Sequence, residues 1–389
     1  MTKLFLKKNE DRRIQTGHLW IFSNEIARME GEVNTGDLIS VYNSRDIYLG
    51  SGFYNKNSLI SARLLGKFFA DDISVYIKEA IHKANEYRKK VYPGRNSYRL
   101  CFSESDFLPG LIIDKYNDTY VLQVYSAGMQ KNIGHVIHVL KDELNAKNIF
   151  SQNEPYFRKL EGLPEEDEIY LGEIGSESIS DGRISYKIDF SDSQKTGFYF
   201  DQCDNRKFIE RFVKDKNVLD AFCNSGGFGL HAAHAGAKAV TFVDSSETEI
   251  ENAKENYALN SFKDKAGFVT SDVFDYFEKC IYERKKFDII MLDPPAFAKS
   301  RKSIPTALKG YTKLNKLALS CTSKEGYLAT SSCSYHIKEE DFHWAVIKAA
   351  QKAGKTVQLI YKNGAALDHP QIPAMEETKY LKFLVYRVL

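Results

Sequence analysis

The sequence lacks the features of an exported, membrane-spanning or metal-stapled protein. Its six cysteines, at 101, 203, 223, 280, 321 and 333, form no C-x-x-C pair and have no histidine at zinc-ligand spacing. That pattern excludes a disulfide scaffold and a structural zinc, and fits reduced thiols in a cytoplasmic enzyme. No apolar run approaches the roughly eighteen residues of a membrane helix. Lys3, Lys7 and Lys8 stand where an export signal would need an apolar core. Charge of one sign is missing too: 54 Lys and Arg against 52 Asp and Glu leave +2. A nucleic-acid surface would therefore have to arise from local clustering. There is also no G-x-G-x-x-G fingerprint, and nothing sets a hydride donor against a carbonyl, which argues against a nicotinamide dehydrogenase. What is present is 43% hydrophobic and 27% charged residues over 389 positions, ordinary for a soluble protein of two or three domains.

The stretch 217–236, NVLDAFCNSGGFGLHAAHAG, organises the rest. An apolar run ends in Asp220, a loop passes through Asn224, Ser225, Gly226 and Gly227, and helix-compatible residues follow. Strand, tight loop and helix start in that order make a cradle for a nucleotide-like cofactor in a doubly wound α/β sheet. The next apolar run ends in Asp244, where a carboxylate can accept both hydroxyls of a ribose. Further runs end in Asp272 and Asp293. Four strands finishing on aspartate at one edge point to a ligand outside their carboxyl ends, with Asp272 near the adenine.

Before this region, residues 1–68 read as short strands broken by Gly17, Gly36, Gly50 and Gly52, a small β-barrel-like module. A helical pattern over 71–92 with a basic end opens a central α+β domain, 69–190, in which strands return from 148 to 190. Residues 191–206, SDSQKTGFYFDQCDNR, combine Lys195 and Thr196 with aromatic rings, the mixture of a strap over the cofactor or of a plain linker.

After the fourth strand, DPPAF places Asp293, Pro294, Pro295 and Phe297 in sequence. Two prolines stop the strand and make a rigid wall against which a base could stack. Residues 299–316 carry Lys299, Arg301, Lys302, Lys309, Lys313 and Lys316, with Tyr311 among them and no acidic residue. This is either an RNA-facing patch or a solvated helix face. A fifth strand, GYLATSSCS, then brings Cys333 to the same carboxyl edge.

Together NVLDAFCNSGGF, VDSS, SDVFDY, DPPAF and SSCS resemble the class I S-adenosylmethionine-dependent methyltransferases. More narrowly, GHLWIF, QKTGFYFDQ and DHPQIPAMEETKYLK are similar to the PUA-domain large-subunit rRNA (cytosine-5) methyltransferases, nearly end to end. The resemblance implies a PUA RNA-binding domain at 1–68, a central α+β domain at 69–190, and a Rossmann-like methyltransferase domain at 191–389. That last domain would hold a mixed seven-stranded sheet whose final strand, LKFLVYRVL, is antiparallel. The implied cofactor is S-adenosylmethionine, held by Lys195, Thr196, Gly197, Tyr199, Gln202, Asp220, Phe222, Asn224, Ser225, Gly226, Gly227, Asp244, Ser245, Asp272, Val273, Asp293 and Pro294. The implied partner is RNA, met by Pro295, Phe297, Lys299, Arg301, Lys302, Lys309 and Tyr311. Neither a membrane nor a metal is expected, and a homodimer is left open.

The chemistry calls for a cysteine. Attack of a thiolate on C6 of cytosine raises electron density at C5, which then accepts the methyl group. Cys333 is the expected nucleophile and Asp293 the group that hydrogen-bonds the base. Many cytosine-5 RNA methyltransferases carry a second cysteine beside the proline of the fourth-strand motif, where this chain has Pro295-Ala296. Two other classes compete: an RNA guanine or adenine N-methyltransferase using DPPAF without a covalent intermediate, and a non-catalytic RNA-binding protein.

Overall fold

The computed structural model describes residues 2–67, 72–191, 196–262 and 265–389. The chain divides into two compact units, Met1–Ile179 with Ile188–Phe200 and Leu367–Thr378, and Ser180–Lys187 with Asp201–Ala366 and Lys379–Leu389. Among the described residues no helix is long and apolar enough to cross a membrane.

The first unit contains two sheets. One has six strands, all between Thr2 and Gly66, and the other has five, between Ser97 and Leu171. The helix Ile73–Val91 starts on Asp72, whose side chain accepts from the Ser74 and Val75 amides, a side-chain N-cap. The strand-rich reading of 148–190 missed a helix, Pro155–Glu161. Proline at its start and Gly162 at φ 72 after its end mark it, but seven residues are too few to show a helical period. Residues 367–378, read from sequence with the C-terminal domain, belong to this first unit. There the Arg88 guanidinium donates to the Asp368 carbonyl at 2.7 Å, and the Arg99 amide donates to the Asp368 carboxylate at 3.0 Å. Met375 joins Leu4, Ile14 and Ile39 in the core.

The second unit is built on a seven-stranded sheet. Its strands are β1 (Asn217–Ala221), β2 (Ala239–Asp244), β3 (Lys265–Thr270), β4 (Phe287–Leu292), β5 (Thr322–Ser332), β6 (Val357–Asn363) and β7 (Lys382–Val388), in spatial order β3-β2-β1-β4-β5-β7-β6. The first five are parallel, and β7 runs antiparallel between β5 and β6, as expected for the final strand. The helices are α1 (Cys203–Ile209), α2 (Gly227–His234), α3 (Glu247–Leu259), α4 (Val273–Tyr282), α5 (Ile304–Cys321) and α6 (Glu339–Lys352). Central strands covered on both faces read as continuous apolar runs: Ile289, Ile290, Met291 and Leu292 of β4 are all buried. On one face β1 and β4 pack against Phe277 and Cys280 of α4 and Leu314 and Cys321 of α5. On the other, Gly229 of α2 sits so close to β2 that a Cβ there would lie 2.1 Å from the Phe242 ring. That contact fixes where α2 begins, and with it the loop above β1.

Candidate active site

The loop after β1 is strained. Phe222, Asn224 and Gly226 have φ of 63°, 46° and 91°. Glycine adopts this region freely and asparagine tolerates it, but a phenylalanine held there costs about 1–3 kcal/mol and must be over-determined by its surroundings. Two carboxylates and the neighbouring strand do this. Asp244 Oδ2 accepts from the Asn224 amide at 3.0 Å, Asp220 Oδ2 accepts from the Gly229 amide at 2.7 Å, and the Cys223 amide donates to the Val243 carbonyl at 3.1 Å. Asp220 Oδ1 is buried with no hydrogen-bond partner. Burial pushes the Asp220 carboxyl up to about 8; the Gly229 amide and the Arg206 guanidinium oppose this, while the charges of Asp293 and Asp244 add to it. A buried, unsatisfied carboxylate oxygen fits a cationic or donor-bearing ligand. Asp244 accepts one bond from the Asn224 amide on Oδ2 and another, on Oδ1, from the Ser246 amide at 3.0 Å. Each of its oxygens retains a lone pair for a hydroxyl.

The ends of β4 and β5 carry the second half of the site. Five of the six cysteines are buried, whereas Cys333, immediately after β5, is partly exposed. Its Sγ lies 3.8 Å from the Pro294 carbonyl of the Asp-Pro-Pro turn. The flanking Ser332 and Ser334 are both 0% exposed, so the backbone presents one thiol between two anchored hydroxyls. Those anchors meet Tyr311 of α5: Ser332 Oγ donates to the Tyr311 hydroxyl at 3.0 Å, and the same hydroxyl lies 2.9 Å from Ser334 Oγ. Asp293 Oδ1 accepts from Gln202 Nε2 at 2.8 Å. Gln202 also donates to Ser331 Oγ at 3.0 Å and accepts from Asn205 at 2.7 Å. Burial and the nearby Asp201 charge push the Asp293 carboxyl up to about 6, against the pull of Arg206, Gln202 and Ser331. A carboxyl of that acidity can exchange a proton near neutrality.

A strained, carboxylate-lined loop beside a thiol and an acid on one sheet edge is the layout of a group-transfer site. A family model described as "PUA-like domain" matches residues 4–67, and one described as "Conserved hypothetical protein 95" matches residues 197–362. "Ribosomal RNA large subunit methyltransferase I" of Pseudoalteromonas atlantica is 35% identical over 395 residues, covering 100% of both chains. The protein of the same name from Tolumonas auensis is 34% identical over 397 residues, again covering 100% of both. The chain belongs to the ribosomal RNA large subunit methyltransferase I family. Among solved structures, "SMU.776, a putative methyltransferase complexed with SAH" matches with a TM-score of 0.85 at 21% identity over 100% of both chains. The two share a fold, here a doubly wound α/β sheet that follows a PUA-like domain in the chain.

In this family member the residues expected from sequence occupy several distinct places. Asp220, Phe222, Asn224, Ser225, Gly226, Gly227 and Asp244 form or flank the strained loop, and Asp293, Pro294 and Cys333 meet at the ends of β4 and β5. Ser245 and Asp272 are exposed at the ends of β2 and β3, with Asp272 capping α4 through the Phe274 and Asp275 amides. Pro295, Lys299, Arg301, Lys302 and Lys309 are exposed and Phe297 is half-buried. Gln202, Tyr311 and Val273 have buried side chains. Gln202 is 2% exposed and both its N–H groups are occupied by Asp293 and Ser331. Tyr311 is 0% exposed and stacks on Phe297 with ring centroids 4.6 Å apart, so it braces the Cys333 turn from within instead of meeting RNA. The Val273 side chain is core, 1% exposed, leaving only its backbone for a ligand. Lys195 lies outside the described residues, and Thr196, Gly197 and Tyr199 belong to the first unit. Sequence reasoning missed Arg206, buried against Gly227 and acting on both Asp220 and Asp293. It also missed Lys382, for which a lysine inside an otherwise apolar strand was the available signal.

Proposed function

We propose that this chain is an S-adenosylmethionine-dependent RNA methyltransferase that forms 5-methylcytosine in large-subunit ribosomal RNA, with Cys333 as nucleophile. The observation that carries the reading is the one partly exposed thiol, at the end of β5, with its Sγ 3.8 Å from the carbonyl of the Asp-Pro-Pro turn. S-adenosylmethionine supplies an electrophilic methyl group on a sulfonium. Asp220, Asp244 and the loop 222–227 would hold it, with Ser245, Asp272, Pro294 and the backbone of Val273 completing the contact.

The Cys333 thiolate adds to C6 of the cytosine, and the electron pair displaced from the C5–C6 bond makes C5 nucleophilic toward the methyl group. Asp293, held by Gln202, carries a proton more readily than an ordinary carboxyl and hydrogen-bonds N3 as charge develops there. Loss of the C5 proton to a base then expels the thiolate from C6 and restores the aromatic ring. Lys299, Arg301, Lys302 and Lys309 track RNA phosphates, Pro295 and Phe297 wall the base, and the PUA-like domain, followed by the central α+β domain, adds a second RNA surface.

RNA carrying 5-fluorocytosine at the target tests this directly, because fluorine at C5 cannot leave as the proton does. A protein–RNA adduct should survive denaturing electrophoresis. Cys333→Ala should abolish both adduct and methyl transfer while leaving cofactor affinity within a few-fold, and Cys223→Ala should keep measurable activity. Near wild-type methyl transfer by Cys333→Ala would overturn the covalent mechanism in favour of N-methylation at the Asp293 to Phe297 wall.

A further inference from the structure

Lys382 opens β7 in the sequence LKFLVYRV, a cation among apolar residues. In the antiparallel pairing it stands opposite Ser332, one residue before Cys333. It is 3% exposed, between Leu381 at 2% and Phe383 at 1%. A lysine buried so deeply ordinarily pairs with a carboxylate. Lys382 does not: among the described residues its ammonium donates to the Ser334 carbonyl at 2.6 Å and the Tyr380 carbonyl at 2.7 Å, both neutral. Glu339, the acid of α6 whose charge reaches it, is already shared by Lys362 at 2.9 Å and Lys379 at 3.7 Å. From α5, Tyr311 presents only a hydroxyl to Ser332 and Ser334.

We infer that Lys382 is a positioning residue for Cys333: its buried ammonium, fixed on the carbonyl that follows the thiol, holds Cys333 as a thiolate before RNA arrives. Charge and geometry agree on this. Burial holds Lys382 down to about 8, and the negative form of Cys333 is the largest influence drawing it back up, ahead of the opposing Lys379 and the supporting Glu339. Such coupling is reciprocal, so whatever the thiolate does for the ammonium, the ammonium does for the thiolate. A turn braced by Tyr311 on one side and Lys382 on the other keeps the sulfur in place with its charge already formed. The thiol would then need no proton acceptor at the moment of attack. The inference rests on Cys333 as the nucleophile.

The test is the pH dependence of Cys333 alkylation by iodoacetamide in the full-length protein, read by mass spectrometry of the peptide that contains it. Cys101, Cys223 and Cys321 are buried, so their protection reports that the fold is intact in every variant. Wild type should titrate at least about one unit below the ordinary thiol value of about 8.5. Lys382→Met should raise that midpoint by about one unit, slowing alkylation at neutral pH about tenfold, and Lys382→Arg should restore it. An unchanged midpoint in Lys382→Met, with the buried thiols still protected, would overturn the inference. If Lys382→Met exposes the buried thiols, wild type decides alone: a midpoint at or above the ordinary value overturns the inference. A low midpoint that Lys382→Met raises, found together with a Cys333→Ala variant that still methylates, would support the pairing and overturn only the nucleophile assignment.

Discussion

The two halves of the sheet edge are fastened in different ways. Above β1 and β2 the loop is tied by its own neighbourhood: Asp220 binds a backbone amide nine residues on, and Asp244 binds one twenty residues back. Above β4 and β5 the ties come from far along the chain. Gln202 reaches Asp293 across 91 positions, Lys382 reaches Ser334 across 48, and Tyr311 reaches Ser334 across 23. Local ties shape a backbone cradle, suited to a ligand that is the same at every turnover. Distant side-chain ties aim individual reactive atoms, as bond-making requires.

The sharpest way to break this contrast is Gln202→Ala. If Gln202 serves only to aim Asp293, methyl transfer should fall about a hundredfold while cofactor affinity, read by titration calorimetry, stays within a few-fold. An equal loss of affinity would return Gln202 to the cofactor and erase the division between the halves. Asp244→Ala tests the other side. It removes the acceptor for two hydroxyls, each charge-assisted bond worth about 1–3 kcal/mol, so the dissociation constant for S-adenosylmethionine should rise at least tenfold with the rate at saturation little changed.

A smaller effect is expected from pH. The folded pKa of Asp220, about 8, lies above the ordinary carboxylate value because the group is buried. Its proton is therefore held more tightly in the native state, and the associated stability is complete below the ordinary carboxylate range and lost as pH rises through about 8. Asp220→Asn keeps an acceptor for the Gly229 amide and removes the buried charge. It should be more stable than wild type above that pH by at least about 1 kcal/mol, read by chemical denaturation, and no better below about pH 4. Smallest of all, replacing Arg301 and Lys302 with Ala should reduce the salt dependence of RNA binding by about one to two units of slope, with cofactor binding unaffected. A slope equal to wild type would make that stretch an ordinary solvated face.

The same contrast explains what the sequence disclosed. Asp220, Gly226 and Asp244 were legible because strand, turn and acid lie within one local stretch, and DPPAF and SSCS because each is contiguous. The antiparallel course of the last strand was expected from the family resemblance alone, since a run carrying Lys382 and Arg387 says nothing of its direction. Gln202 and Tyr311 were noticed but their burial was not foreseen, since nothing in spacing shows that a glutamine will turn toward Asp293 or that a tyrosine amid lysines faces inward. Arg206 went unread because a buried cation is defined by partners that only the fold assembles, and Lys382 went unread although its place among apolar residues was a signal. The strained φ of Phe222 had no sequence signal either, since phenylalanine is a poor candidate for that conformation.

One feature of the chain path bears on how the protein is made. Residues Leu367–Thr378 complete the first unit, and β7, which follows them, lies between two strands of the second. During synthesis each unit therefore lacks part of its packing until this late stretch has left the ribosome. A chain interrupted after Ala366 would lack the Asp368 ties to Arg88 and Arg99 in one unit and the central antiparallel strand in the other. A chain truncated after Ala366 is thus expected to be open in both units, which limited proteolysis would read as cleavage throughout instead of one resistant fragment.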